Sequence, residues 1–203
     1  MNNHANLAPY VACLEEIKAR YRIIGSYQSG ERDALFDVPT TEIMALQFRM
    51  IFELIALGSL AAHAEIFREQ QVKFEKKWRP SQILKDVEKL NPNFYPEPVV
   101  EEKSPRPDVV NNLASMEDGY LTPENLLRAH GFCGNILHAR NPFGKGVDHT
   151  WYREQMKQWS KELVALLSIH KIQLLDEDIF YLVHLHSKPD GKIQTYTFQK
   201  VDA

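Results

Sequence analysis

The chain is poor in cysteine and carries little excess charge of either sign. Cys13 and Cys133 are its two cysteines, and they lie far apart in a chain of 203 residues. Small secreted domains that depend on disulfides carry several closely spaced cysteines, so we expect a reducing, cytoplasmic location. The net charge of -3 excludes a protein whose whole surface attracts polyanions, but it is compatible with a local basic patch.

Neither a targeting segment nor a membrane segment is predicted. The first ten residues have no basic segment followed by an apolar run, so no signal peptide is predicted. Residues 43–62 are long and apolar enough to cross a bilayer, but Arg49 and Glu53 lie near their centre. Each such charge costs about 2.5 to 3.5 kcal/mol at mid-bilayer. We therefore interpret the stretch as the buried central helix of a soluble protein, with no membrane partner.

Common catalytic and metal motifs are missing from the sequence. It has no glycine-rich phosphate loop, no metalloprotease helix and no nucleophile elbow. His184 and His186 are two apart on a predicted strand and share a face, but two imidazoles do not complete a zinc site. We expect neither a metal nor a cofactor.

The periodicity of apolar residues predicts a mainly α protein. Helices are predicted near residues 7–27, from Thr40 to about Gln70, from Pro80, from Thr122 to Asn141, and from Asp148. The Pro-Asp-Gly turn at 189–191 predicts a β-hairpin, and residues 172–175 could add a strand. The prediction is one helical bundle domain over residues 1–171, with 92–120 a long irregular connection. Residues 172–203 form a hairpin packed on the bundle.

Two charged residues inside the apolar central helix indicate a site or an internal ion pair. Arg49 and Glu53 are four residues apart, so they share a helix face. A buried charge needs a partner, because an unpaired one costs several kcal/mol. One interpretation is a salt bridge that fixes helix register, and the other is one wall of a functional site.

The stretch "HGFCGNILHARNPF", residues 130–143, holds the candidate partners. Gly131, Gly134 and His138 would form one helical face, and the glycines indicate a close approach to the central helix. We hypothesise that His138, Arg140 and Asn141 converge there with Arg49 and Glu53. His130 and Cys133 lie on the adjacent face. We interpret His130 as a hydrogen-bonded core or boundary residue, and Cys133 as a small apolar residue rather than a nucleophile.

A second candidate surface is the basic and aromatic run "KFEKKWRP". Lys76, Lys77, Trp78 and Arg79 combine the charges and rings with which proteins bind nucleic acid. The alternative is that the run is merely a solvated helix end.

The central "LQFRMIFELIAL" and the later "CGNILHARNPF" resemble the HEPN superfamily of bacterial and archaeal helical proteins. "LNPNFYP" and "LHARNPF" are also similar to a family of uncharacterised bacterial proteins. The resemblance covers roughly residues 40–170. It implies a HEPN-like helical bundle, a homodimer, and a setting in bacterial defence or toxin–antitoxin systems, where many such domains are metal-independent ribonucleases.

The nuclease motif of that superfamily is not met in this chain. The motif places a histidine about one helical turn after an arginine and a polar residue. Arg128 is followed by His130, which is too near, and by His138, which is too far. Arg140 begins "RN", but its next histidine is His149, beyond Pro142.

Three functions remain open at this point. The favoured one is a non-catalytic module that binds RNA, a nucleotide or a protein partner. The second is a metal-independent ribonuclease that uses His138 with Arg140 or Arg49. The third is a purely structural accessory protein.

Overall fold

The computed structural model of the chain describes residues 7–63, 78–106, 109, 111–139, 142–144, 146–174, 178–187 and 190–200. These residues form five helices: α1 Ala8–Gln28, α2 Asp37–Ala62, α3 Pro80–Glu88, α4 Pro123–Ile136 and α5 His149–Leu167. They also form five strands: β1 Glu97–Lys103, β2 Asn111–Ser115, β3 Ile169–Gln173, β4 Ile179–His184 and β5 Gln194–Gln199.

All five strands join one antiparallel sheet in the order β2-β1-β3-β4-β5. The fold is therefore α+β, and the prediction of a mainly α bundle with only a C-terminal hairpin is wrong. The error lies in residues 92–120, interpreted as irregular, which contain β1 and β2. β1 pairs with β3 through Glu97↔Lys171 and Pro98↔His170, a long-range contact that no local pattern reveals.

The C-terminal hairpin itself is confirmed. β4 and β5 pair from Ile179↔Gln199 to His184↔Gln194, and the strand predicted near residues 172–175 corresponds to β3. The predicted domain boundary between residues 171 and 172 falls inside β3. Alternate residues of the inner strands, such as His170, Ile172 and Val183, are buried against the helices. Helices and sheet therefore share one core.

The central helix is α2, which contacts α1, α3, α4 and α5. Phe48 and Phe52 are fully buried and pack edge-on against Trp159 of α5. By length and composition α2 could cross a membrane, but 56% of its most apolar window is buried inside the fold. This is the pattern of a core helix in a soluble protein. α2 ends at Ala62. The prediction continued this helix to about Gln70, but residues 64–70 lie outside the described residues.

The predicted helix starts at Thr122 and Asp148 are confirmed by capping hydrogen bonds. Thr122 accepts from the backbone N–H of Asn125 at 3.2 Å, and Asp148 accepts from Trp151 at 2.9 Å. α4 ends at Ile136, earlier than the predicted end at Asn141, and the N–H of Leu137 bonds to the carbonyl of Gly134. An i→i+3 bond of this kind closes the last turn of a helix.

A buried hydrogen bond joins α1 to the sheet. The carbonyl of Leu167 lies 3.1 Å from Nδ1 of His170, and a carbonyl only accepts, so Nδ1 carries the proton. Nε2 therefore accepts from the hydroxyl of Tyr10 at 2.7 Å. Burial lowers the pKa of His170 to about 4, and the charge of His184 acts in the same direction. The ring is thus neutral in the folded protein near pH 7.

We expect the free energy of unfolding to fall as the pH drops from 6.5 to 4. In that window the unfolded chain protonates His170 at its ordinary pKa while the folded protein does not, so protons favour unfolding, by up to about 3 kcal/mol. Urea titrations across this range should show the loss. His170→Gln should flatten the slope in part only, because burial also lowers the pKa of His63. An unchanged slope in the variant would contradict this assignment.

Candidate functional site

Glu53 of α2 is the centre of a small charged cluster. Its Oε1 accepts from Nε of Arg49 at 3.3 Å and lies 3.0 Å from Nε2 of His130 on α4. An ionised carboxylate only accepts, so Nε2 of His130 carries the proton. The side chains of Arg49, Glu53 and His130 are 28%, 15% and 19% exposed. The three groups are therefore partly dehydrated and in contact.

Gly134 makes room for this cluster. A Cβ atom at Gly134 would lie 3.3 Å from Nη1 of Arg49, which is tighter than ordinary van der Waals contact. The close approach predicted for the two glycines is thus found at Gly134, whereas Gly131 has open space around it. Arg49 of α2 lies against Gly134 of α4, and Glu53 of α2 lies against His130 of α4. The two residues on each helix are four apart and run in opposite order, so the helices are antiparallel at this contact.

The histidine that meets Glu53 is His130 rather than His138. α4 ends at Ile136, so His138 lies beyond the helix and is exposed. The interpretation of His130 as a hydrogen-bonded core or boundary residue is confirmed by its contact with Glu53 and by its half-buried side chain. His130 was not predicted as part of the site, although it is one turn from Gly134 on α4. His130 and Gly134 are four residues apart, as are Arg49 and Glu53. This equal spacing was the feature of the sequence that could have predicted the contact between His130 and Glu53. Arg140 and Asn141 lie outside the described residues.

Arg49 of the first predicted cluster lies in one cleft of about 280 Å³ with Trp78 and Arg79 of the second predicted surface. It is lined by Arg49, Trp78, Arg79, Pro80, Ser81, Leu127 and His130. Trp78 is 53% exposed, and the guanidinium carbon of Arg79 lies 5.4 Å from the centre of its ring. Lys76 and Lys77 lie outside the described residues.

The described residues that line the cleft carry an excess of positive charge. Glu53 compensates Arg49, whereas no carboxylate pairs with Arg79 within the described part of the chain. Two guanidinium groups and no carboxylate are found among the described residues that line it. An open cleft with this balance favours an anion, and guanidinium groups bind phosphate and carboxylate through paired hydrogen bonds.

Cys133 lies behind the cluster and not in the cleft. It is fully buried, and burial raises the pKa of its thiol to about 12 despite the opposing charge of Arg49. The interpretation of Cys133 as a small buried residue is confirmed. A thiol in this state has almost no thiolate at neutral pH and so lacks the reactive form.

A larger cleft of about 970 Å³ lies between α5 and the sheet and contains His184 and His186. Nε2 of His184 is 3.3 Å from Oε1 of Glu101, but the pair is too poorly aligned for a hydrogen bond. His186 is exposed. Over the described ranges, no three His, Cys, Asp or Glu side chains are grouped to hold a metal ion. We therefore place the candidate site at the smaller cleft, where charged groups converge.

No known protein family, curated protein or solved structure matches this chain. The resemblance to HEPN proteins consequently stays a prediction from short motifs.

We expect Glu53 and His130 to be energetically coupled. In a double-mutant cycle with Glu53→Gln and His130→Gln, the coupling free energy should be about 1 to 2 kcal/mol, because a partly buried charged hydrogen bond is lost only once. Chemical denaturation of the four proteins measures it. The same cycle with Glu53→Gln and His138→Gln should give a value near zero, and a large value there would contradict the geometry.

Proposed function

We propose that the protein is a non-catalytic binding module for an RNA segment or a nucleotide. The observation that carries this proposal is the shared cleft, in which Trp78 and Arg79 on one side meet Arg49 and His130 on the other. These groups match the two parts of a nucleotide. A phosphate suits the guanidinium groups, and a base suits the exposed indole ring.

Arg79 is the first candidate for the phosphate contact, because no carboxylate within the described ranges neutralises it. Arg49 is less mobile, since Glu53 holds its Nε and Gly134 leaves space for Nη1. A guanidinium held in place loses less side-chain entropy when it binds. Stacking of a base on an aromatic ring contributes about 1 to 3 kcal/mol, so Trp78 supplies the second part of the affinity.

The engagement of His130 favours binding over cleavage. Its Nε2 proton is directed at Glu53, so Nδ1 is the single ring nitrogen left to reach a reacting hydroxyl in phosphodiester cleavage. The arginine-to-histidine spacing of the superfamily's nuclease motif is also missing from the sequence.

A specific observation keeps a metal-independent ribonuclease as the second candidate. The carboxylate of Glu53 orients His130 as acidic groups orient histidines in catalytic triads, which leaves Nδ1 for a substrate. In this version His130 takes the place predicted for His138 as acid or base. Arg49 or Arg79 would then stabilise charge on the phosphorus oxygens.

The cellular setting stays a prediction from the resemblance. It is a bacterial defence or toxin–antitoxin context. The cytoplasmic location stays a prediction from the scarcity of cysteine, and a protein partner stays an alternative occupant of the cleft. In the third option, a structural accessory protein, the cluster of Arg49, Glu53 and His130 would serve only to join α2 to α4.

We expect Arg79→Ala and Trp78→Ala each to weaken the binding of a fluorescein-labelled single-stranded RNA by about tenfold, from the loss of one phosphate contact or one stacked base. Arg79→Ala should also reduce the salt dependence by about one counterion. Fluorescence anisotropy at several salt concentrations measures both. Arg128→Ala is the matched control, because Arg128 is exposed on α4 outside the cleft and should leave affinity unchanged. Wild-type protein that binds neither RNA nor nucleotides at low salt would overturn the proposal.

Cleavage is tested separately on total RNA in EDTA. We expect intact RNA with wild-type protein. Cleavage by the wild type that His130→Gln abolishes and His138→Gln preserves would establish the ribonuclease instead. Circular dichroism of both variants shows that the fold is retained.

A further inference from the structure

β5, the last strand, forms an open edge of the sheet. Within the described ranges it pairs with β4 on one side only, and it is the terminal strand in the order β2-β1-β3-β4-β5. Gln194 is half-buried and the other five residues of β5 are exposed. Thr195 and Thr197 are exposed although their partners Val183 and Tyr181 are buried. The face with the threonines thus meets solvent, and the face with Gln194 and Tyr196 borders the larger cleft beside α5.

The sequence of β5 lacks the features that protect exposed edges. Soluble proteins discourage pairing at an edge with lysine, proline, bulges or very short strands. β5 reads Gln-Thr-Tyr-Thr-Phe-Gln, which has no charge, no proline and no glycine. Threonine and aromatic residues also have high β-propensity. β2 at the opposite edge is Asn-Asn-Leu-Ala-Ser, which is short and rich in residues that disfavour strands.

The hairpin that carries β5 is held in place at both ends. Lys18 of α1 is almost fully buried, and its ammonium group donates to the carbonyl of Gly191 in the turn at 3.0 Å. Gly191 has φ of +69°, which glycine adopts without strain. At the far end, the N–H of Lys200 bonds to the carbonyl of Asp178 at 2.7 Å. A partner strand therefore meets a preformed edge and does not have to order it.

We propose that this edge is a dimer interface, in which β5 pairs antiparallel with β5 of a second copy of the chain. Antiparallel pairing of identical strands satisfies a twofold axis, which is the commonest symmetry of soluble homo-oligomers. Directly opposite residues of an antiparallel pair share a face, so the axis passes through a residue position. With the axis at Thr197, the pairs are Thr197–Thr197, Tyr196–Phe198 and Thr195–Gln199. Threonines then meet at the axis and aromatic rings oppose each other on the other face, and pairs of both kinds stabilise antiparallel sheets.

The chemistry of β5 favours a second copy over a strand from another protein. β5 carries no charge, so it offers no electrostatic selection for a charged peptide and no repulsion against itself. The exposed rings of Tyr196 and Phe198, 42% and 40% exposed, lie on one face and add apolar contact area across the axis. The dimer is independent of the Arg49–Glu53–His130 cleft, so this inference does not depend on the proposed function.

Sedimentation velocity over a range of concentrations tests the interface. We expect wild-type protein to form a species of twice 23.5 kDa as its concentration rises. Thr197→Lys places a charge at the centre of the interface, where two copies repel each other, and should raise the dimer Kd at least about tenfold. Asn135→Lys adds the same charge at an exposed position of α4 and should leave the Kd unchanged. Wild-type protein that stays monomeric throughout, or a dimer that Thr197→Lys leaves intact, would overturn the proposal.

Cross-linking locates the contact even if the lysine variant fails to fold. Thr197→Cys should form a covalent dimer under mild oxidation, because the two copies of residue 197 face each other at the axis, and facing residues of an antiparallel pair lie about 4.5 to 5.5 Å apart at Cα. Asn135→Cys is the control and should stay monomeric under the same conditions. Equal cross-linking of the two variants would show random collision and refute a specific interface at β5.

Discussion

The burial of α2 is the constraint on which the rest of the molecule depends. Four other helices pack on α2, and its aromatic residues Phe48 and Phe52 meet Trp159 of α5 in the core. Contacts of this kind remove apolar surface from water and supply the main favourable free energy of folding. Any polar group that α2 carries must then find a partner within the protein or at its surface.

The charged cluster follows from that constraint. Glu53 lies on a helix that is otherwise mostly apolar, and an isolated buried carboxylate would be strongly destabilising. Arg49 on the same helix and His130 on α4 supply its two donors. Because the cluster stays partly exposed, the groups that satisfy Glu53 also form a wall of the cleft that Trp78 and Arg79 complete. The proposed binding site is thus a consequence of placing charge on the central helix.

Two hydrogen bonds from α1 connect the sheet and its hairpin to the helices. His170 in β3 is fully buried and neutral, and it accepts from Tyr10 of α1. Lys18 on the same helix holds the turn before β5. α1 therefore contacts both the middle of the sheet and the turn before β5, the strand at which we propose the dimer interface.

Local patterns in the sequence determined the helices, the helix starts at Thr122 and Asp148, and the hairpin of β4 and β5. They also showed that Arg49 and Glu53, as charges on an apolar helix, need partners. Each of these depends on residues a few positions apart, where periodicity, capping and turn chemistry act directly. Only the tertiary structure decided that β1 and β2 join the sheet, because β1 pairs with a strand far away in the chain. It also decided that His130 meets Glu53 and that Trp78 and Arg79 share their cleft. Such meetings depend on how separate helices cross, and the residue spacing within a single helix does not specify that crossing.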